Sequence, residues 1–226
     1  MVTMPPISRR AVLAAPLLLV AAGPALPVPA GRRIAFAIYR KGSRIGTHRV
    51  DFTGTQQALD VRMAVDIRVG FGPFTLYHYS LRGLEEWRGG VLIHAAANTN
   101  DDGTRRFARA ARVGDRLYVR GSSVHPYLAP PGCLPASHWN EDELRHPMIN
   151  AENGELMETT VVDKGMETVT DNARRPIAAR HFALTWWEQH TRPRALDLWY
   201  EPSGLWAAMT AVAKDGSLII YRRLVP

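Results

Sequence analysis

The chain has 226 residues and a formal net charge of +7, and its length suits one domain with a sizeable core. Its basic residues, 25 arginines and three lysines, are dispersed among acidic residues along the chain. Nucleic-acid binders concentrate basic charge on one face, so the sequence predicts no nucleic-acid partner. Cys133 is the single cysteine, which excludes an internal disulfide and leaves stability to the core.

The first thirty residues have the pattern of an export signal. Arg9 and Arg10 precede an apolar run of about a dozen residues, and a small-residue cleavage site ends at Ala30. We therefore predict a twin-arginine signal over residues 1–30, recognised by the twin-arginine export machinery, with the Sec route as the alternative. A spanning helix needs roughly 20 apolar residues, so no membrane anchor is expected after cleavage. The predicted location is periplasmic or secreted.

Alternation of apolar and polar residues predicts a succession of strands from residue 33 onward. The clearest is Leu59–Val69, in which every second residue is apolar. The next is Phe74–Trp87, and tight turns such as Asp101-Asp102-Gly103 separate the strands. Further strands are predicted at Arg33–Arg40, His48–Thr53, Val91–Asn98, Arg105–Val113, Arg116–Arg120, Leu156–Val162, Glu167–Val169, Ala178–Trp187, Arg194–Tyr200, Leu205–Val212 and Ser217–Leu224.

A proline-rich insert at residues 121–150 interrupts this rhythm. Four prolines fall within residues 126–135, and Ser137–Leu144 has the composition of a short helix capped by Ser137 or Asn140. Residues 31–226 are thus predicted to form a single all-β domain. We expect a curled antiparallel sheet or incomplete barrel, with one short helix near residues 138–146. The adjacent Trp186 and Trp187 must point to opposite faces of their strand, so one of them leaves the core.

Aromatic side chains give the main indication of function. Tyr77 and Tyr79 share one face of their strand, Trp87 ends that strand, and His138 and Trp139 lie in the insert. An insert of this length is often a lid or binding loop. These five residues predict a site for an apolar or amphipathic envelope ligand in a non-catalytic binding protein. The other interpretation is that the insert only plugs an open end of the sheet.

An envelope enzyme or metalloprotein is the alternative function. Its site would use His138, Cys133 and strand histidines such as His78 and His94. The eight histidines show none of the short spacings typical of zinc sites, and no nucleophile-elbow motif is present. We therefore predict no catalytic residue, metal ligand or cofactor, and Cys133 is interpreted as a small buried residue.

Short motifs along the chain suggest a relationship to known proteins. They are Gly42–Gly46, Tyr77-His78-Tyr79, Glu85-Glu86-Trp87, Pro135–Asn140, Asn150–Gly154, Leu198-Trp199-Tyr200, Asp215-Gly216-Ser217 and Tyr221-Arg222. Taken together, they resemble those of a family of exported proteobacterial proteins classed as a domain of unknown function. The resemblance spans roughly residues 33–224 and implies a β-rich fold and an envelope address, but it supplies no catalytic residues. More distantly, the layout is similar to the open half-barrels that carry lipoproteins or lipids across the periplasm.

Overall fold

The computed structural model describes residues 25–71, 74–188, 192–213 and 215–225. The twin-arginine pair, Arg9 and Arg10, lies outside the described residues, as does most of the predicted signal. Within the described ranges, no helix is long and apolar enough to cross a membrane.

The described residues form strands almost throughout. In chain order the strands are β1 (Arg33–Arg40), β2 (Ser43–Gly54), β3 (Ala58–Phe71), β4 (Phe74–Arg88), β5 (Val91–Asp101), β6 (Thr104–Val113), β7 (Arg116–Gly121), β8 (Val124–Leu128), β9 (Leu134–Pro135), β10 (Met148–Ile149), β11 (Leu156–Met157), β12 (Thr159–Thr170), β13 (Pro176–Glu188), β14 (Arg192–Tyr200), β15 (Trp206–Val212) and β16 (Leu218–Arg223).

One antiparallel sheet contains thirteen of these strands. Its order is β12-β13-β14-β15-β16-β1-β2-β3-β4-β5-β6-β7-β8, so sequence neighbours pair throughout and β16 joins β1 in the middle. The two end strands, β12 and β8, are not paired with each other, and the sheet does not close into a barrel. The prediction of an all-β fold with a curled, incompletely closed antiparallel sheet is confirmed.

Alternation along the strands separates an inner face from an outer face. On β3, Leu59, Val61 and Met63 are buried, whereas Arg62 between them is exposed. The same period of two carries the buried core through β1, β2 and β14. The inner face is defined here as the face that bears these buried residues. Trp186 packs against the inner core while Trp187 is 54% exposed, as the sequence predicted for this pair.

A separate segment covers part of the inner face. Residues 129–157, named the inner segment, contain the three short strands β9, β10 and β11 and a 3₁₀ helix at Glu141–Arg145. Asn140 caps this helix by accepting a hydrogen bond from the backbone N–H of Asp142 at 3.2 Å. The predicted short helix is therefore present but is a single 3₁₀ element.

Two boundary predictions were wrong. Strand β8 lies inside the predicted insert and pairs with β7 in the main sheet despite Pro126. The predicted strands Leu156–Val162 and Glu167–Val169 are divided differently, because residues 156–157 belong to the small sheet and β12 runs without a break across Gly165. A bulge between Asp163 and Gly165 accommodates one extra residue, so the strand continues through the gap between the two predicted ranges.

Candidate functional site

Trp139 joins the inner segment to the sheet. Its indole is fully buried (0% exposed) and packs edge-on against the rings of Phe52 on β2 and Trp87 on β4, at centroid separations of 5.3 and 5.6 Å. The structure thus brings together two of the five predicted ligand-binding residues, Trp87 and Trp139, as neighbours in a packed core.

A buried carboxylate lies between these two indoles. Glu85 points inward from β4 and is 1% exposed. Its Oε2 accepts hydrogen bonds from Trp87 Nε1 and Trp139 Nε1, each at 2.9 Å. Among the described residues, no donor is in hydrogen-bond geometry with Oε1, and the Ser137 hydroxyl lies 3.5 Å from the carbonyl of Pro135 instead. Burial raises the pKa of Glu85 to about 7, although the Ser137 hydroxyl and both indole N–H groups act to lower it.

A second buried carboxylate organises the turn that carries Trp139. Glu143 Oε2 accepts the backbone N–H groups of Ser137 and His138 at 3.0 and 2.8 Å, and Oε1 lies 2.7 Å from His138 Nδ1. His138 has a φ of 67°, in the left-handed region that few residues other than glycine adopt. Three contacts to one carboxylate thus hold this unusual backbone conformation. Tyr200 adds a fourth tie by donating its hydroxyl to the carbonyl of His138 at 2.9 Å.

His48 is a third buried ionisable group near this turn. It packs edge-on against Trp206 at 5.1 Å, and Trp206 in turn lies 6.0 Å from the ring of His138. Burial first, and the charge of His138 second, lower the pKa of His48 to about 3. Nε2 of His48 has no hydrogen-bond partner among the described residues. A neutral imidazole is therefore the form that this position accommodates.

The space beneath the inner segment is almost filled. A void of about 20 Å³ remains between inner-face residues such as Met63 and Glu85 and segment residues such as Pro135 and Ile149. A void of this size holds about one water molecule, which needs roughly 10–15 Å³ of free space. In the state described, Trp139 therefore fills the inner face as a plug.

The two tyrosines of the predicted site lie toward the other end of β4. Tyr77 donates its hydroxyl to Asp101 at 2.8 Å, and Tyr79 donates to Glu152 of the inner segment at 2.7 Å. Burial, and the neighbouring carboxylates, raise the pKa of both phenols. Tyr79 thereby makes a further hydrogen bond between the sheet and the inner segment, whereas Tyr77 contacts the sheet.

The residues of the alternative site have different surroundings in the described part of the chain. Cys133 is buried, and burial raises the pKa of its thiol to about 12, which keeps it neutral at physiological pH. Across the described ranges, no three His, Cys, Asp or Glu side chains are grouped so as to hold a metal ion. His78 and His94 lie near separate carboxylates, Asp66 and Glu86.

Sequence reasoning missed the two buried carboxylates and His48. Alternation carried a usable signal for Glu85, because it occupies an inward position two residues before Trp87. Glu143 falls within the predicted short helix at Ser137–Leu144, and that prediction gives it no contact with the turn at His138. Its contacts with Ser137 and His138 depend on the left-handed backbone conformation of His138, which the alternation of apolar residues does not predict.

These features define an all-β protein with an open, curled sheet whose inner face is closed by a polar-tethered segment. The chain belongs to a family described as a domain of unknown function (DUF6134), whose model matches residues 36–224. The resemblance found from the sequence motifs is thereby confirmed. A comparison with curated proteins found no match.

One solved structure supports the fold. The chain is similar to a beta-barrel-like protein of the domain of unknown function DUF1849 from Brucella abortus, with a TM-score of 0.61 and 11% sequence identity. The likeness covers 85% of this chain and 94% of that one. At this identity it shows a shared fold.

Proposed function

We propose that the protein is an exported, non-catalytic binding protein that holds an apolar or amphipathic envelope molecule on its inner face, beneath the inner segment. The observation that carries the proposal is the chemistry of the closure at Glu85. A permanent plug is best made of apolar contacts, whereas here a buried carboxylate keeps one oxygen without a donor. Such a group costs about 1–3 kcal/mol, which lowers the free energy needed to open the segment.

Binding on this face requires the segment to move. Small-molecule sites usually have volumes of roughly 300–1,000 Å³. The void beneath the segment is about 20 Å³. The ligand would therefore take the place that Trp139 occupies against Phe52 and Trp87, with the displaced indole packing over it. In that arrangement Tyr79, Trp87, His138 and Trp139 contact the ligand, and Tyr77 lies at the margin of the site.

The neutral dye N-phenyl-1-naphthylamine tests the proposal, because its fluorescence rises in apolar surroundings. We expect saturable binding by the wild-type chain. Trp139→Ala should weaken binding by about fivefold or more, since the indole that covers the ligand is lost. Trp187→Ala is the matched control, because Trp187 is an exposed tryptophan on the outer face.

Two results would contradict the binding function. One is the absence of saturable dye binding, and the other is equal binding by Trp139→Ala and the wild type. Circular dichroism and urea unfolding of the same variants separate these results from a folding defect. If Trp139→Ala unfolds the sheet while Trp187→Ala does not, Trp139 is a core plug and the lid interpretation is lost.

Export is a further part of the proposal, and the structure bears on where the signal peptide is cleaved. Leu26 lies within the predicted signal, yet it is buried in the main core, and its backbone exchanges two hydrogen bonds with the side chain of Gln56 at 3.0 and 2.9 Å. This packing favours cleavage on the N-terminal side of Ala25 over the predicted cut after Ala30. The intact mass of the chain isolated from the periplasm decides between them: a product beginning at Gly31 would exclude a role for Leu26.

A further inference from the structure

A groove of about 410 Å³ lies on the outer face of the sheet, where β4, β5 and β6 run side by side. Its lining alternates outward from these three strands, on the face opposite Glu85 and the inner segment. The groove is therefore independent of the proposed inner-face site. The outward-facing side chains of the groove are Ser80, Arg82, Asn98, Asn100, Arg105 and Phe107. Thr99 and Arg106 also line it, but Arg106 is paired with Asp101 and with Glu152 of the inner segment.

Both asparagines of the groove have their acceptor oxygens occupied. Asn98 Oδ1 accepts a hydrogen bond from the guanidinium of Arg109 at 2.7 Å. Asn100 Oδ1 accepts the backbone N–H of Gly103 at 2.8 Å. Because both partners can only donate, the identity of each carboxamide oxygen is fixed. Each Nδ2 group therefore remains as a donor that no described residue uses.

The arginines add positive charge without a carboxylate in the lining. Nothing among the described residues accepts a hydrogen bond from the exposed Arg105 guanidinium. Arg82 is held in place by the carbonyls of Val65 and Leu81, at 2.7 and 2.8 Å, and its nearest carboxylate, Asp66, is 3.8 Å away. The lining thus offers donors and cations from three strands, together with the 38% exposed ring of Phe107 as an apolar wall.

We propose that this outer groove binds a phosphate ester. The volume is within the range of small-molecule sites. A phosphate group presents several acceptor oxygens, and guanidinium groups bind such oxygens through paired, charge-assisted hydrogen bonds. Amide donors of Asn98 and Asn100 complete the set, while Phe107 packs against the organic part. The ester belongs either to a phospholipid headgroup or to a soluble organic phosphate.

Asn98→Asp is the most specific test variant. An aspartate keeps the oxygen that Arg109 requires and replaces the free NH₂ group by a second acceptor, so the strand contacts remain while the groove loses a donor. Asn172→Asp is the matched control, because it adds the same charge at an exposed loop asparagine whose Oδ1 already accepts the hydroxyl of Tyr39 at 2.7 Å. Arg105→Gln and Arg116→Gln form a second matched pair. Arg116 lies opposite Val113, eight residues further along β6, about 26 Å away at ~3.3 Å per residue.

The probes are glycerol 1-phosphate, measured by calorimetry, and vesicles of phosphatidylglycerol or phosphatidylcholine, measured by sedimentation. We expect Asn98→Asp and Arg105→Gln to weaken binding at least tenfold, and both controls to stay within about twofold of the wild type. If the groove variants lose affinity for glycerol 1-phosphate, the ligand is a soluble ester. If they lose affinity only for phosphatidylglycerol vesicles, the ligand is a lipid headgroup. The proposal is overturned if neither probe binds, or if each groove variant and its control weaken binding equally, since net charge would then explain the attraction.

Discussion

The carboxylate of Glu85 accepts two indole N–H groups and has no ion-pair partner among the described residues. Burial raises its pKa to about 7 from an ordinary value of 4.5. A carboxyl whose pKa is higher in the folded state binds its proton more tightly there, so it lowers stability as pH rises from about 4.5 to about 7. At 1.36 kcal/mol for each pKa unit, the loss is roughly 3 kcal/mol.

Glu85→Gln should remove this loss. We expect the free energy of unfolding of the variant, relative to wild type, to rise by roughly 3 kcal/mol between pH 4.5 and pH 8, measured by urea unfolding across that range. Glu86→Gln is the matched control, because Glu86 is the next residue on the solvent-facing side of the same strand. The control should change by no more than about 0.5 kcal/mol. A difference that does not vary with pH would show that Glu85 ionises as easily in the folded chain as in the unfolded one.

His48 acts in the opposite direction. Its pKa is lowered to about 3 from an ordinary value of 6.5, so the unfolded chain takes up a proton that the folded chain refuses. Its stabilising contribution is complete above pH 6.5 and is lost as pH falls toward 3. Between pH 4.5 and 6.5 this effect and that of Glu85 nearly cancel. Relative to the unfolded chain, the folded chain holds one more proton at Glu85 and one fewer at His48.

His48→Gln should therefore make the chain relatively more stable in acid. We expect the free energy of unfolding, relative to wild type, to increase by roughly 3 kcal/mol as pH falls from 6.5 to 4.5. The exposed His125 supplies the control, His125→Gln, for which no comparable increase is expected. Equal pH profiles for the two variants would contradict a neutral, buried His48.

At the scale of elements, the reactivity of one thiol can be used to measure opening of the inner segment. Cys133 is the single cysteine of the chain and is buried within that segment. A thiol reagent can reach it only when the segment opens or the whole chain unfolds. Because Glu143 accepts two backbone N–H groups and pairs with His138, its charge stabilises the closed segment.

Glu143→Gln should speed the labelling of Cys133 by 4,4′-dithiodipyridine about tenfold or more, since hydrogen bonds to charged groups contribute about 1.5–3 kcal/mol. Glu141→Gln is the control, because Glu141 belongs to the same 3₁₀ helix but pairs with Arg145 at the surface. Urea unfolding of both variants gives the global stability for comparison. Labelling that accelerates only as much as global unfolding would mean that the segment does not open by itself.

Strands and connections differ in how far the sequence predicts them. Leu59–Val69 and its neighbours were predictable, because a buried inner face imposes a period of two over many residues. The closure was not predictable, since Trp139 meets Glu85 across 54 positions of sequence. Of the predicted ligand-binding residues, Trp87 and Trp139 lie against each other. Glu85 between them belongs to the motif Glu85-Glu86-Trp87, but nothing in that motif indicates that its carboxylate accepts both indole N–H groups.

At the scale of the whole molecule, an open sheet has two edges that must avoid pairing with other chains. Strand β8 is short and contains Pro126, which cannot donate to a ladder. Strand β12 is continuous but has a bulge at Asp163–Gly165, which contains Lys164. The proline of β8 and the bulge of β12 both disfavour pairing with another chain, so the sheet can stay open at its two edges. An open sheet also leaves an inner face to be covered, and the inner segment packs there.

Amide hydrogen exchange tests most directly whether the inner segment opens as a unit. The backbone N–H groups of Ala136, Ser137 and His138 are bonded within the segment, and those of Val61 and Met63 lie in the centre of the sheet. We predict that the segment amides exchange at least ~30-fold faster than the sheet amides, once each is corrected for its intrinsic rate, as expected for an opening about 2 kcal/mol below global unfolding. Equal protection of both sets would contradict the account, because segment and sheet would then unfold together.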